Sequence, residues 1–154
     1  MLCGVLVRLS TRMNPLVSAI LASSLHWLLS PGLMLITVTG RKTGRRYTIP
    51  VGYHQVEDAI IVLVSDAPDK SWWRNYRTAG PIEVRLRGNS RRGCAQVLAA
   101  DSPEFRRRAE QSFGRARVIP WIFGIDYDYH TGLTSAQVEA LAAHAAIVRI
   151  TLDE

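Results

Sequence analysis

Apolar and polar residues alternate in short runs along most of the chain after residue 32, a pattern that predicts β-strands. The alternation is clearest over residues 82–87, where each aliphatic side chain is followed by a charged one. Glu57-Asp58 and Gly88-Asn89-Ser90 supply turn residues for two hairpins. The predicted strands cover residues 33–39, 47–55, 59–65, 82–87, 92–98 and 147–152.

Two helices are predicted in the second half of the chain from their start signals. Ser102 and Pro103 stand in the order expected at a helix start, and this helix runs to about Phe113. Arg106, Arg107 and Arg108, which lie on it, are expected to be solvated. Thr134-Ser135-Ala136-Gln137 fits a capping box and starts a second helix that ends near residue 144.

A further helix is predicted near the start of the chain. Residues 16–29 are mostly apolar. Asn14 before them suits a helix N-cap and Pro15 the first helical position, and Ser30-Pro31-Gly32 ends the run. The run is shorter than the roughly 20 residues that a membrane span needs. We expect it to pack on its own domain or on a partner subunit, and the alternative is peripheral contact with a membrane surface. Either Met1 or Met13 suits the start of the chain.

The order of elements predicts a mainly β (α+β) fold. Six antiparallel strands with few helices indicate a small six-stranded barrel with helices packed outside it. The sequence divides into an N-terminal helical extension, residues 1–32, and a barrel domain, residues 33–154. Strands and helices do not alternate regularly, which argues against a doubly wound nucleotide-binding fold.

Charge and cysteine content narrow the functional classes. A net charge of +6 indicates an acidic partner, either a charged small molecule, an anionic surface or a nucleic acid. The two cysteines and four scattered histidines lack the spacing of a disulfide framework or a zinc site, so we expect no metal. A reducing, cytoplasmic location follows as the default.

The loop between the first two predicted strands concentrates candidate chemistry. Residues 39–46 read Thr-Gly-Arg-Lys-Thr-Gly-Arg-Arg, with two glycines that allow a sharp turn around four cations. Arginine binds two oxygens of a phosphate or carboxylate at once, and Thr43 with the backbone N–H groups adds donors. The loop is therefore a candidate anion site, although a basic hairpin turn in solvent has the same composition.

Aromatic and basic residues are interleaved after the third predicted strand. Trp72, Trp73 and Tyr76 offer flat faces to a ring system, and Lys70 adds a cation beside them. Ser71 is placed to cap a short helix in which Trp72 and Tyr76 share a face. We expect at least one of the tryptophans to belong to the core.

These motifs together resemble a known family. The order of these motifs resembles that of the deazaflavin-dependent nitroreductases and quinone reductases. In chain order the motifs are the basic loop, Ile49-Pro50-Val51, the following hairpin, Trp73-Arg74-Asn75 and Pro81. That family has the split β-barrel of flavin-binding oxidases and uses coenzyme F420. The resemblance implies that the loop holds the coenzyme phosphate and acidic tail, and that Val64–Asn75 lies beside the ring. The implied coenzyme-binding residues are Arg41, Lys42, Thr43, Arg46, Pro50, Ser65, Lys70, Trp72, Trp73 and Asn75.

The resemblance implies an oxidoreductase that passes a hydride from reduced F420 to a quinone-like or nitro acceptor. FMN is the alternative coenzyme, and a homodimer is the implied assembly. Tyr127 and Tyr129, near the aromatic Trp121 and Phe123, are the candidate catalytic residues, because a tyrosine hydroxyl can donate a proton to a reduced acceptor oxygen. The alternative for both tyrosines is packing under the last helix.

Two other functions compete with the enzyme. The same barrel could hold flavin, haem or a fatty acid without catalysis. Binding of nucleic acid by an arginine-rich surface ranks last, because no recognition module is visible and the net charge is modest. We therefore expect a small-molecule acceptor and no nucleic-acid partner, with the protein in the cytoplasm or on the inner face of the cell membrane.

Overall fold

A computed structural model describes residues 32–154 together with Pro15 and Ala19. Pro15 and Ala19 are helical, in agreement with a helix in this part of the chain. The rest of the predicted helix over residues 16–29 lies outside the described residues. The division into a helical extension and a barrel domain at residue 32 therefore stays a prediction.

The described chain is mainly β, with antiparallel pairing and a few helices, which confirms the predicted fold class. Within residues 32–154 the helices are α1 (Pro103–Phe113), α2 (Val118–Ile122) and α3 (Ser135–His144), with short 3-10 helices at Ala67–Asp69 and Trp72–Tyr76. The strands are β1 (Leu33–Thr39), β2 (Arg46–Gly52), β3 (His54–Val56), β4 (Ala59–Val64), β5 (Gly80–Leu86), β6 (Asn89–Val97) and β7 (Ala146–Leu152).

The described residues contain seven strands rather than six. The predicted run over residues 47–55 divides at Tyr53, which is buried and belongs to neither strand. Beyond Tyr53, β3 turns to pair with β4 in a short hairpin closed at Glu57-Asp58. The extra strand thus comes from a change of partner within one apolar run, which alternation alone does not reveal.

The described chain forms two compact units, and the first contains the residues up to Gly52 together with Ile82–Arg92. Its strands are ordered β2-β1-β5-β6, and Thr37 of β1 pairs with Thr48 of β2. Met34, Ile36 and Val38 alternate along β1 and are fully buried. Because strand side chains alternate between faces, this leaves Thr37 and its neighbours on the opposite face of the sheet.

The second unit comprises Tyr53–Pro81 and Gly93–Glu154, with strand order β6-β7-β4-β3 and the helices α1, α2 and α3. Phe105 and Phe113 of α1 pack into a core with Ile61 of β4 and Ile147 of β7. At Gly93 the two central strands approach so closely that a Cβ would lie 2.3 Å from the Thr151 carbonyl oxygen. Only glycine fits this position of β6.

The two helix starts predicted in the second half of the chain are confirmed by their caps. The Ser102 hydroxyl accepts a hydrogen bond from the Phe105 N–H at 3.2 Å, directly before α1. Thr134 and Gln137 form the reciprocal capping box at the start of α3. Local sequence signals determine these two boundaries because each cap satisfies backbone donors that the helix leaves unpaired.

The prediction that Arg106, Arg107 and Arg108 are all solvated is wrong for Arg108, which is only 4% exposed. Its guanidinium lies 3.5 Å from Glu104 one turn earlier on α1 and 3.7 Å from Glu57. Buried charges are tolerated in proteins when they are paired in this way. Sequence reasoning missed the burial because Glu57 is distant along the chain.

The turn between β5 and β6 lies one residue earlier than predicted. Arg87 and Gly88 form it, both with positive φ (48° and 81°), as a two-residue hairpin turn requires. Asn89 and Ser90, predicted as turn residues, are instead the first residues of β6. This correction places Ser90 and the following arginines on a strand beside β5.

Candidate functional site

The basic loop between β1 and β2 is closed by its own hydrogen bonds. The Gly40 N–H donates to the Arg45 carbonyl oxygen at 2.9 Å, and the Gly44 N–H donates to the Gly40 carbonyl oxygen at 2.8 Å. Gly44 has a φ of 65°, which favours glycine, and the Arg45 N–H donates to the Thr43 hydroxyl at 3.3 Å. The backbone of the loop is therefore fixed by these hydrogen bonds.

All side chains from Arg41 to Arg46 are exposed. Arg46 forms an ion pair with Glu83 of β5, and Arg92 of β6 lies 3.6 Å from the other oxygen of that carboxylate. Lys42 makes no ion pair within residues 32–154. The loop thus offers exposed cations to an incoming anion, and Arg46 among them is paired with Glu83.

The second candidate segment follows β4 in the other unit. Lys70 is half-buried and donates a hydrogen bond to the Ser65 hydroxyl at 3.3 Å. Burial lowers the pKa of Lys70 because the charged form loses hydration, and the nearby Asp66 and Asp69 oppose that effect. Ser65 and Lys70, two of the residues that the resemblance implies for coenzyme binding, are therefore within hydrogen-bonding distance of each other.

The two tryptophans of this segment have different environments. Trp72 is 6% exposed and its ring packs edge-on against Tyr76 at 6.5 Å, so Trp72 is the one that belongs to the core. Trp73 is half-exposed and its indole N–H donates to the Ala67 carbonyl oxygen at 2.8 Å. The guanidinium carbons of Arg74 and Arg77 both lie 5.4 Å from the Trp73 ring centre. Trp73 is thus the more exposed of the two rings, with two arginines lying over it.

The start of this short helix differs from the prediction. Ser71 stands at the N-cap position, but its side chain makes no capping hydrogen bond, and the helix is of the 3-10 type. The turn is fixed from its other end, where the Asn75 side-chain amide donates to the Trp72 carbonyl oxygen at 2.9 Å. Asn75 therefore has a local role in holding the two tryptophans in place.

Tyr127 and Tyr129 lie together after α2, beside a cavity of about 410 Å³. Their rings meet edge to face at 4.8 Å, and the guanidinium of Arg117 lies 5.7 Å from the Tyr129 ring centre. Trp121 also lines the cavity and is 66% exposed. Ile125 gives the cavity an apolar side.

The two tyrosines differ in their contact with the core. Tyr127 packs edge-on against Phe113 at 5.2 Å, whereas Tyr129 is 48% exposed. Burial raises the pKa of Tyr127, and the negative charge of Glu110 adds to that effect. Phe123, expected beside the tyrosines, is buried in the core against Phe113 and does not line the cavity.

A sequence profile of the F420H2-dependent quinone reductases matches residues 9–116, more than half of the chain. The chain belongs to this family. The F420H2-dependent quinone reductase profile includes the basic loop and the tryptophan segment but ends before Tyr127. The protein is accordingly an oxidoreductase with F420 as its coenzyme, as the motifs predicted. No curated protein sequence matches the chain significantly.

Solved structures support the fold of this quinone reductase family member. The F420H2-dependent reductase FDR-A superposes with a TM-score of 0.52 at 16% identity, covering 79% of this chain and 94% of that one. The haem storage protein HutZ of Vibrio cholerae superposes at 0.54 and 14% identity, covering 82% and 84%. A domain-swapped dimer superposes with a TM-score of 0.54 at 16% identity, covering 81% of this chain and 82% of that one. At these identities the similarity shows the shared split-barrel fold.

The residues of the basic loop fit the acidic part of F420, because exposed cations on a fixed backbone are the donors that phosphate and carboxylate groups require. Arg41, Lys42, Thr43, Arg46 and the β2 residue Pro50 belong to the first unit. The remaining predicted coenzyme residues, Ser65, Lys70, Trp72, Trp73 and Asn75, belong to the second. Each set is brought together within its own unit.

Sequence reasoning missed a second polar cluster, on the first unit. A cavity of about 460 Å³ there is lined by strand residues that include Thr37, Thr48, Glu83, Arg85 and Arg92. They come from four separate strands, so no single motif joins them. The available signal was the alternation of residues 82–87, which places Glu83 and Arg85 on one face of β5.

Proposed function

We propose that the protein transfers a hydride from reduced F420 to a quinone-like or nitro acceptor, with Arg41, Lys42, Thr43 and Arg46 binding the coenzyme phosphate and acidic tail. The observation that carries the proposal is the glycine-flanked loop, whose backbone is closed by internal hydrogen bonds while its cations remain exposed. It stands in a chain that belongs to an F420-dependent family.

The bound deazaflavin supplies the hydride as an electron pair, so the protein needs to contribute position and electrostatics rather than a nucleophile. In this proposal, Ser65, Lys70 and Trp73 lie beside the ring. The lowered pKa of Lys70 reflects partial burial, which strengthens its interaction with a negatively charged ring system.

For the acceptor we propose the cavity beside Tyr127 and Tyr129. Trp121 and Ile125 give it apolar surface suited to an aromatic acceptor, and Arg117 places a cation near Tyr129. The raised pKa of Tyr127 keeps its hydroxyl protonated at neutral pH. Tyr127 is thereby suited to donate a hydrogen bond to an acceptor oxygen that gains negative charge on reduction, and its raised pKa makes it a weaker proton donor than a free tyrosine.

The proposal is tested by titrating the purified chain with F420, FMN and haem side by side, and by measuring oxidation of reduced F420 with menadione as acceptor. We expect F420 binding at micromolar concentration, weaker FMN binding, and menadione-dependent turnover. A protein that copurifies with FMN, haem or a fatty acid in mass spectrometry and shows no turnover would instead be a carrier.

Two further proposals concern assembly and location. We propose a homodimer, supported by the similarity in fold to a domain-swapped dimer, and light scattering of the purified chain would test it. We also propose a cytoplasmic protein, in which peripheral membrane contact through residues 16–29 is the alternative to packing of that segment on its own domain or a partner subunit. Within the described residues, no helix has both the length and the apolar character needed to span a bilayer. Sedimentation of the chain with anionic vesicles would test the membrane contact.

A further inference from the structure

The polar cavity on the first unit lies on the sheet face opposite the buried residues of β1. Four strands contribute to its walls, so a fixed hydrogen-bonded sheet holds its side chains in place. Its volume of about 460 Å³ lies within the usual range for sites that bind small organic molecules. None of the loop residues 41–45 lines it.

Positive charge dominates this cavity. Arg85 of β5 and Arg91 and Arg92 of β6 line it, against the single acidic residue Glu83. The carboxylate of Glu83 is already shared by Arg46 and Arg92. The walls therefore carry an excess of cations, which favours an anionic ligand over a neutral or cationic one.

Arg85 carries the most direct sign of a missing acceptor. Its side-chain Nε is buried and has no hydrogen-bond partner among the described residues. A buried charged donor without an acceptor is costly, because the group has lost its water without a replacement. Arg85 lines the cavity, and the terminal nitrogens of its guanidinium would bind the oxygens of a ligand there.

Hydroxyl groups complete the donor set. The Thr37 and Thr48 hydroxyl oxygens lie 2.9 Å apart across the β1–β2 pair, so one donates to the other. The pair has two protons and this bond uses one, which leaves the second to donate to a ligand. Ser90 of β6 brings a third hydroxyl to the same cavity.

We propose that this cavity binds a small organic oxyanion, a phosphate or carboxylate compound, through Arg85, Arg92 and the hydroxyls of Thr37 and Thr48. Glu83 competes with the ligand for Arg92, so it sets the affinity of the site. The site is separate from the loop residues Arg41, Lys42 and Thr43, and its existence does not rest on the proposed hydride transfer.

Calorimetric titration of the full chain with glycerol 3-phosphate and with citrate tests the site. We expect Arg85→Gln and Arg92→Gln each to weaken binding about 10-fold or more, since each removes a charge-assisted hydrogen bond. Thr48→Val should weaken it about 5-fold, because one neutral hydrogen bond is lost. Glu83→Gln should strengthen binding about 5-fold, because a nearby negative charge is removed.

Arg107→Gln is the matched control, because Arg107 is exposed on α1 in the other unit and should leave binding unchanged. Arg92 is largely exposed, so its variant remains informative if Arg85→Gln fails to fold. The proposal is overturned if neither compound binds more tightly than about 10 mM. It is also overturned if Lys42→Ala abolishes binding while Arg85→Gln and Arg92→Gln leave it intact, since the anion would then bind at the loop.

Titration of F420 in the presence of saturating glycerol 3-phosphate identifies the source of the oxyanion. An unchanged F420 dissociation constant supports a separate ligand in the cavity, whereas competition supports the same site occupied by the acidic end of the coenzyme. If F420 does not bind at all, the proposed function fails. The effect of Arg85→Gln on the affinity for glycerol 3-phosphate still decides this inference.

Discussion

Replacing Glu104 by glutamine should destabilise the second unit strongly, because this carboxylate sits between two arginines. Glu104 lies 3.5 Å from the buried Arg108 and accepts two hydrogen bonds of 2.9 Å from one nitrogen of Arg149. Removing one partner of a buried ion pair costs about 3–5 kcal/mol. Glu57 at 3.7 Å still faces Arg108, and Glu104 is partly exposed, so we expect about 2–3 kcal/mol.

The effect should depend on pH. Burial raises the pKa of Glu104, but the hydrogen bonds and charges of Arg149 and then Arg108 outweigh it, and the net pKa lies below the usual 4.5. The contribution of this carboxylate is therefore complete above pH 4.5 and is lost as the pH falls through its lower folded-state pKa. The glutamine variant should lack this part of the acid sensitivity.

Urea unfolding at pH 7, followed by circular dichroism, measures the change in the free energy of unfolding. Glu139→Gln is the control, since Glu139 is an exposed residue of α3, and it should change stability by less than about 0.5 kcal/mol. A Glu104→Gln variant as stable as this control would refute the reasoning that Arg108 depends on Glu104.

Three other predictions follow from single contacts. Burial, then the charges of Arg115 and Arg108, lower the pKa of His54 from 6.5 to about 4, so the unfolded chain binds the proton first as the pH falls. The free energy of unfolding should therefore fall by about 1–2 kcal/mol as the pH is lowered from 6.5 to 4. Thermal melts should show a smaller fall over the same pH range in His54→Gln. Gly93→Ala should cost about 2 kcal/mol in urea unfolding because its Cβ would overlap the Thr151 carbonyl, whereas Gly114→Ala, which has room, should be mild. Tyr127→Phe should lower menadione turnover about 10-fold or more with an unchanged F420 dissociation constant, and equal turnover would remove Tyr127 from the proposed chemistry.

The parts of the fold that the sequence predicts correctly are those determined by local signals. The strand over residues 33–39 matches β1 because its apolar run ends at Gly40. The caps at Ser102 and Thr134 each bond to a residue three positions later, so the sequence predicts them equally well. By contrast, the division of one predicted strand at Tyr53 and the burial of Arg108 depend on partners that are distant in sequence.

The candidate site shows the same distinction. The basic loop is readable because its glycines and cations are adjacent in sequence, and its resemblance to an F420-dependent family is confirmed. The cavity around Arg85 could not be predicted, because strand order and register bring its walls together from four separate strands. Ser90 is also missed because the sequence pattern assigns it to the turn, whereas it belongs to β6.

The central claim, that the basic loop binds the acidic part of F420, is tested most directly by fluorescence titration of F420 against the double variant Lys42→Ala with Arg46→Ala. We predict that the dissociation constant rises about 30-fold, corresponding to about 2 kcal/mol of lost charge-assisted hydrogen bonding, while Arg107→Gln binds like the unmodified chain. A double variant that folds normally and binds F420 as tightly as the unmodified chain would contradict the account.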